Sequence, residues 1–527
     1  MKLLTNILIK HQYKLILLFL FIVSALAIEY FFLLGQLTLY ADTMSRLDIA
    51  RKIIDNITPG FAQVGNVWLP LPQILMLPFI WNSYLWHSGL AGSFMSMFMF
   101  IIGGYFVYKS VYLLSQSPLR SFLSLLIYSL NINLLYLQST AMSETALICT
   151  ISATIYYFLV WTKTKNKMDL IPAGIAVSLM TLTRYEGLAI LFASIPMVFM
   201  MGLFMYKNRI KSESATIIYT VLAITGFSAW TLYLALIFGD PFYWINYYAT
   251  PQAVGESHIK LYTQHKSFTV ASIQYLTAMI WTIGLIPIIM SILGSVILIY
   301  QSFKKKTLYL FPLFLPLAIF LFMVLSLQRN TPIGQPDLTI TNILSGKTSH
   351  MVGFNIRYGI ILIPWVAVMS SFLFSMRNSI VKLLIFSVFF LQIYSYFFPK
   401  YTVIYQIPLQ IHGGRELTPF GVWLRKNYDG GKILISAMDH EDTMFEMGFN
   451  YSTYIHEGNQ HFWKDSLKHP ARYASWIVLD YGTGISKDPK VKSLMHSPDL
   501  KKDYKLVYVE NGLRIYKIKH KPYLEIK

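Results

Sequence analysis

Through its first 400 residues the chain alternates long apolar blocks with short polar connections, beginning with "LILLFLFIVSALAIEYFFLL" (15–34). Blocks of about 20 apolar residues suit helices that cross a bilayer, and they lack the strict alternation of a membrane strand. The pattern predicts an α-helical polytopic membrane bundle with about 11 transmembrane helices. They are expected near 14–36, 89–110, 119–139, 142–161, 168–183, 187–206, 214–238, 272–301, 307–328, 356–376 and 380–399. The block "NVWLPLPQILMLPFIWNSYLW" (66–86) is left out. Its prolines and polar ends suggest a helix lying at the outer surface, with a twelve-helix arrangement as the alternative.

Beyond residue 400 the pattern becomes that of a small α/β domain. "KILISA" (432–437), "YSTYIHEG" (451–458), "SWIVLDYG" (475–482) and "YKLVYVENGLRIYKI" (504–518) read as strands, the last a hairpin turning at Asn511-Gly512. Two domains are expected, 1–400 in the membrane and 401–527 outside it. The basic N-terminus precedes an apolar run too long for a signal peptide, so the first helix is read as uncleaved.

Composition agrees: 55% of residues are hydrophobic and 13% charged, with a mean hydropathy of +0.49. Lys and Arg number 44 against 25 Asp and Glu. The excess does not point to nucleic acid, because it gathers in connections such as "TKTKNK" (162–167), "KNRIK" (207–211) and "KKK" (304–306), as the positive-inside rule demands. These connections and the N-terminus are expected in the cytoplasm and the C-terminal domain outside, in a multi-pass plasma-membrane protein. A single cysteine, Cys149, excludes an intramolecular disulfide and a cysteine metal cluster.

In that topology the acids before residue 400 fall mostly at the outer ends of helices, although orientation rules do not require it. Asp42 and Arg46, one helical turn apart, follow the first span. Glu144 starts a later helix after Ser143, a candidate cap. Arg184, Tyr185 and Glu186 share a tight outer turn, and Asn355, Arg357 and Tyr358 open a late helix. Each group has an ordinary explanation as a surface pair, a cap or an interfacial anchor. Together they bring several carboxylates and arginines to one membrane boundary, where unpaired charge is costly. Such a set suits a phosphate-bearing lipid, gripped by guanidinium forks beside a waiting carboxylate. His258, His265 and His350 fall in outer loops without metal-ligand spacing.

In order, "YADTMSRLDIAR", "WLPLPQILMLPF", "AMSETALI", "LTRYEGLA" and "NIRYGIILIP", followed by an outer soluble domain, resemble the GT-C superfamily of integral membrane glycosyltransferases. The resemblance is to the branch of protein O-mannosyltransferases and the lipid A aminoarabinose transferase. It implies an inverting enzyme that moves a sugar from a polyprenyl-phosphate donor to an acceptor hydroxyl at the outer face of the membrane. Asp42 would be the base, with Arg46 and Glu144 beside it as catalytic residues. Arg184, Tyr185, Glu186, His258, Asn355, Arg357 and Tyr358 would bind substrate, Arg357 at the carrier phosphate. The acceptor, whether lipid, glycan or protein, stays open. The paired acids of metal-dependent relatives are missing, since Tyr40 and Met44 flank Asp42 at two residues. No metal ligand is assigned, and a divalent cation stays open as cofactor. A transporter or flippase of lipid-linked sugars is the alternative function.

Overall fold

A computed structural model describes residues 2–248, 267–305, 311–328, 356–375, 378–397, 418–459, 461–480, 494, 498–510 and 512–522. The described residues before 400 are largely helical. Among the described residues, six helices are long and apolar enough to cross a bilayer: His11–Leu33 within α1 (Lys2–Leu33), α5 (Leu90–Ser115), α8 (Glu144–Thr164), α10 (Gly187–Tyr206), α11 (Arg209–Phe238) and Leu285–Ser302. Shorter apolar helices accompany them. Between α1 and α5 lie α2 (Ala41–Lys52), α3 (Leu71–Ile80) and α4 (Ser83–His87). With ten residues α3 reaches only about 15 Å, half the hydrocarbon thickness. The 66–86 block is therefore not a span.

Two expected spans are broken. The 119–139 block forms α6 (Pro118–Ser129) and α7 (Ile132–Leu137), and the 272–301 block forms Phe268–Ile283 and Leu285–Lys305, interrupted at Gly284 with φ 106°. The two breaks satisfy each other. Asn131 caps α7, accepting from Leu134 N at 3.0 Å, while its amide donates to Thr282 O at 2.9 Å. Asn133 reaches the same carbonyl at 3.0 Å. Backbone groups freed at membrane depth need such partners, because lipid supplies none.

Small residues bring the helices together. A Cβ on Gly92 would stand 2.3 Å from Ala141 Cβ, so only glycine allows α5 to lie against the turn that leads into α8. One turn further on, Ser93 and Ser96 donate to Ser139 O and Thr140 O, both at 2.6 Å. This contact fixes where α8 (with α9, Leu170–Thr181, packed beside it) begins, and so where Glu144 sits.

The C-terminal region carries a five-stranded sheet: β1 (Lys432–Leu434), β2 (Tyr454–Ile455), β3 (Ala474–Asp480), β4 (Tyr504–Glu510) and β5 (Leu513–Ile518), in the order β2-β1-β3-β5-β4. β1 runs parallel to β2 and β3, and β5 is antiparallel to β3 and β4. The β4–β5 hairpin turns through Gly512 at φ 87°, where glycine is favoured. The 451–458 strand is shorter than expected: residues 451–453 form a 3-10 turn and only Tyr454 and Ile455 pair.

That turn is held by α2 and the residues after it. Asp55 accepts from Tyr451 N at 3.1 Å and Ser452 N at 3.2 Å, and from Arg51 Nε at 3.1 Å. Arg51 also donates to Ile80 O (2.8 Å) and Trp81 O (3.0 Å), the free carbonyls at the end of α3. Buried Asp48 accepts from Trp86 Nε1 at 3.1 Å and from the Tyr451 hydroxyl at 2.7 Å. Burial, and then nearby Glu441, pushes its carboxyl well above the usual range. Asp48 and Asp55 therefore join two parts of the fold. Both count among the acids expected at the outer ends of helices, but their role here is structural, and they stand apart from the acids paired with Arg184 and Arg357.

Asp55→Ala would leave two backbone N–H groups and Arg51 Nε without their acceptor. We expect about 2–4 kcal/mol of lost stability, measured as a lower unfolding midpoint in detergent together with earlier proteolysis of the C-terminal region.

Candidate active site

Three carboxylates stand where helices begin. Asp42 lies in the first turn of α2, Glu144 is the first residue of α8, and Glu186 immediately precedes α10. Unpaired N–H groups and the helix dipole favour negative charge at these places. Two arginines come from segments between helices: Arg184 from the turn between α9 and α10, and Arg357 from the 3-10 segment 356–362 that opens a late helix. Packing interleaves them into one chain of alternating charge.

Arg357 ion-pairs with Asp42 through Nη2 and with Glu144 Oε1 through Nε at 2.8 Å. The same Glu144 oxygen meets Arg184 Nη1 at 3.1 Å. Arg184 closes the chain on Glu186 Oε1, with Nη2 at 2.7 Å and Nε at 3.0 Å. The Tyr358 ring lies between the arginines, 4.6 Å from the Arg184 guanidinium and 5.3 Å from that of Arg357. Tyr40 stacks on Arg357 at 5.1 Å, and Met142 Sδ lies 3.8 Å from its Nη1. Glu144 is fully buried and Arg357 is 2% exposed, whereas the Asp42 side chain is 35% exposed. Asp42 is the open end of the chain. Burial alone would raise its carboxyl, but the adjacent Arg357, with Arg46 and Arg184 farther off, holds it below the usual carboxylate range. It is ionised at neutral pH.

Arg46 occupies a different position. Its guanidinium lies 4.6 Å over Trp68, and its Nε and Nη1 are buried without hydrogen-bond partners. Burial lowers it to about 10, against the pull of Glu144 and Asp42. The i, i+4 spacing suggested a pair with Asp42, but Arg357 from 315 residues away takes that carboxylate.

Asp42, Glu144, Arg184, Glu186, Arg357 and Tyr358 are thus brought together, with Arg46 close by. Tyr185 is not part of the chain: its hydroxyl donates to Val67 O at 2.7 Å and its ring stacks on Trp244 at 4.2 Å, so it anchors the 66–68 segment. Ser143 does not cap α8; its hydroxyl accepts from Arg184 Nη1 at 3.2 Å. Asn355 and His258 lie outside the described residues. Sequence reasoning missed Tyr40, Trp68 and Met142 as arginine contacts. Tyr40 and Met142 each lie two residues from a flagged acid, and Trp68 carried no charge signal. Among the described residues no three His, Cys, Asp or Glu side chains gather as a metal site. Asp42 and Glu144 are bridged by the Arg357 guanidinium, a donor set that does not fit a divalent ion.

Glu144→Gln would leave two buried guanidiniums sharing a neutral amide. Breaking a buried charge network in this way costs about 3–5 kcal/mol. We expect a large drop in unfolding temperature or a loss of folded protein, checked by thermal unfolding and size-exclusion chromatography in detergent.

No protein-family model matches the chain, and no curated protein matches it in sequence. Solved structures do match. The archaeal oligosaccharyltransferase AglB from Archaeoglobus fulgidus, solved with an inhibitory peptide and a dolichol-phosphate, superposes with a TM-score of 0.50 at 10% identity, covering 97% of this chain and 75% of its own. ArnT from Cupriavidus metallidurans bound to undecaprenyl phosphate gives 0.49 at 10% identity, over 96% and 97%. At such identity the likeness is one of fold. The chain shares the fold of AglB, a membrane transferase of the kind that the order of its sequence motifs implied.

Proposed function

We propose that the protein is an inverting membrane glycosyltransferase that moves a sugar from a polyprenyl-phosphate donor to an acceptor hydroxyl at the outer face of the cell membrane. The carrying observation is the buried charge chain ending in half-exposed, ionised Asp42. The fold supports the reading, because AglB and ArnT were solved with polyprenyl phosphates bound. We assign the transferase to residues 1–400 and place 401–527 outside the membrane.

The acceptor oxygen attacks the anomeric carbon as the bond from that carbon to the phosphate oxygen breaks. The hydroxyl proton passes to Asp42, and the electron pair leaves with the polyprenyl phosphate, whose charge Arg357 receives. Attack opposite the leaving group inverts the centre. Asp42 and Arg357 pair with each other when no substrate is bound, and this pairing gives the donor a second role. A phosphate that engages Arg357 competes with Asp42 for the guanidinium. Losing that contact returns the carboxyl toward its ordinary value, and a carboxylate with a higher pKa is the stronger base. Glu144, bound to the other side of Arg357, keeps the guanidinium in place during the exchange.

Asp42→Asn keeps size and one acceptor oxygen but removes the base. Turnover with a panel of polyprenyl-phosphate sugars should fall about 10²–10⁴-fold with donor binding retained. Arg357→Lys should instead weaken donor binding roughly tenfold or more, because an ammonium has no planar fork. Normal transfer by well-folded Asp42→Asn protein would remove the base assignment, and a transporter would tolerate the change. Orientation is tested separately. Lys163→Cys should be shielded from an impermeant reagent in intact cells and Lys426→Cys should be labelled, with Cys149 buried and silent; labelling of both positions, or of neither, would overturn the topology.

A further inference from the structure

Between α2, the end of α11 and the C-terminal sheet lies a cleft of about 400 Å³, within the range of roughly 300–1,000 Å³ occupied by small-molecule sites. One stripe of α2 links it to the charge chain. Ser45, Ile49 and Lys52 line the cleft, and with Asp42 they stand at i, i+3, i+7 and i+10, one face of a helix. Trp68 makes a second link: it lines the cleft and also carries the Arg46 guanidinium.

The chemistry of the walls is specific. Trp68 and Tyr243 present aromatic surface, and Asn66 lines the cleft with them. The charged groups are already engaged. Lys52 pairs with Glu441 at 2.9 Å, and Glu457 accepts from Ser436 Oγ at 2.6 Å and from Ala437 N at 2.9 Å. His456, 2% exposed, also lines the cleft. Gly458 N donates to its Nδ1 at 3.1 Å, so the ring proton sits on Nε2, and this atom has no partner. Burial, then the charge of Lys52, keeps the imidazole neutral. A buried N–H donor without an acceptor is costly and points to a ligand oxygen.

We propose that this cleft binds the neutral, hydroxyl-rich part of a carbohydrate acceptor, with His456 Nε2–H donating to a sugar oxygen and the Trp68 face packing on the ring. The proposal rests on the transferase reading and narrows its acceptor to a glycan. Sugar rings offer apolar C–H faces to aromatic side chains and a rim of hydroxyls that both donate and accept, matching these walls. A phosphate finds no uncommitted cation among the lining residues, because Lys52 is taken. A peptide adding to the sheet finds little to pair with: β2 at the edge has two residues, and the next amide, His456 N, already donates to Asn459 Oδ1 at 2.8 Å. The α2 stripe then leads from the bound sugar to Asp42, where its hydroxyl would be deprotonated.

The test reads binding without turnover. Full-length protein in detergent is titrated with neutral di- and trisaccharides and, in parallel, with Ser/Thr-containing peptides. Neutral saccharides should bind. His456→Phe and Trp68→Leu should each weaken binding about tenfold, His456→Gln, which keeps a donor, should weaken it less, and polyprenyl phosphate should bind both His456 variants as it binds the unsubstituted protein. Absence of saccharide binding, saccharide binding indifferent to both substitutions, or cleft-dependent binding of the peptides alone would each overturn the assignment. Saccharide binding through the cleft without turnover of any polyprenyl-phosphate sugar would refute the transferase and leave the carbohydrate site standing. Turnover with an acceptor KM unchanged in Trp68→Leu would refute the cleft and leave the transferase.

Discussion

The contact on which the site depends is the single oxygen of Glu144 shared by Arg184 at 3.1 Å and Arg357 at 2.8 Å. Neither arginine could be buried at a membrane boundary without a counter-charge, and Glu144 could not be buried without them. Each member lies at the end of a helix, so the pairing fixes how α8, α10 and the late helix opened by residues 356–362 meet. The local packing serves it. Gly92 lets α5 touch the turn before α8, and Ser93 and Ser96 hold that turn's carbonyls, which sets the height at which Glu144 enters the chain.

A second set of charges does a different job on the same helix. Along α2, Asp42 faces the arginines, Asp48 is buried against Trp86 and Tyr451, and Lys52 reaches Glu441. One twelve-residue helix therefore joins the membrane bundle, the charge chain and the C-terminal sheet. Its unusual density of acids and bases follows from having three different neighbours. The apolar side does the same: Met44, Leu47 and Ala50 share a core with Trp86 from α4 and with Phe445, Tyr451 and Ile515 from the C-terminal region.

How much of this was legible depended on the range of the interaction. Bilayer thickness acts through composition over about 20 neighbours, so the helical bundle could be read from the chain. The breaks at Asn131 and Gly284 could not, because their partners lie some 150 residues apart and a hydropathy window averages over them. The hairpin at Gly512 was local and readable, while the two-residue β2 was not, since Asp55 dictates the turn before it. Within the site, Asp42, Glu144, Arg184, Glu186 and Arg357 were readable as a set because charge at a membrane boundary demands a reason. Their pairing was not: Arg46 sits one turn from Asp42 and still loses it to Arg357. His456 gave no signal, because its unpartnered nitrogen is a property of packing.

Arg357 cannot serve Asp42, Glu144 and a donor phosphate equally, because a guanidinium presents a limited set of N–H groups in one plane. The contact that must yield is the weakest, and exposure decides which that is. Glu144 is fully buried, and its separation from Arg357 would leave both charges without water. Asp42 at 35% exposed can be solvated when released, so its release costs least. In the proposed transfer the base would thus become available when the leaving group binds and stay neutralised otherwise. A carboxylate held by a guanidinium is a poor base toward water, so the site would stay quiet until a lipid-linked sugar arrives.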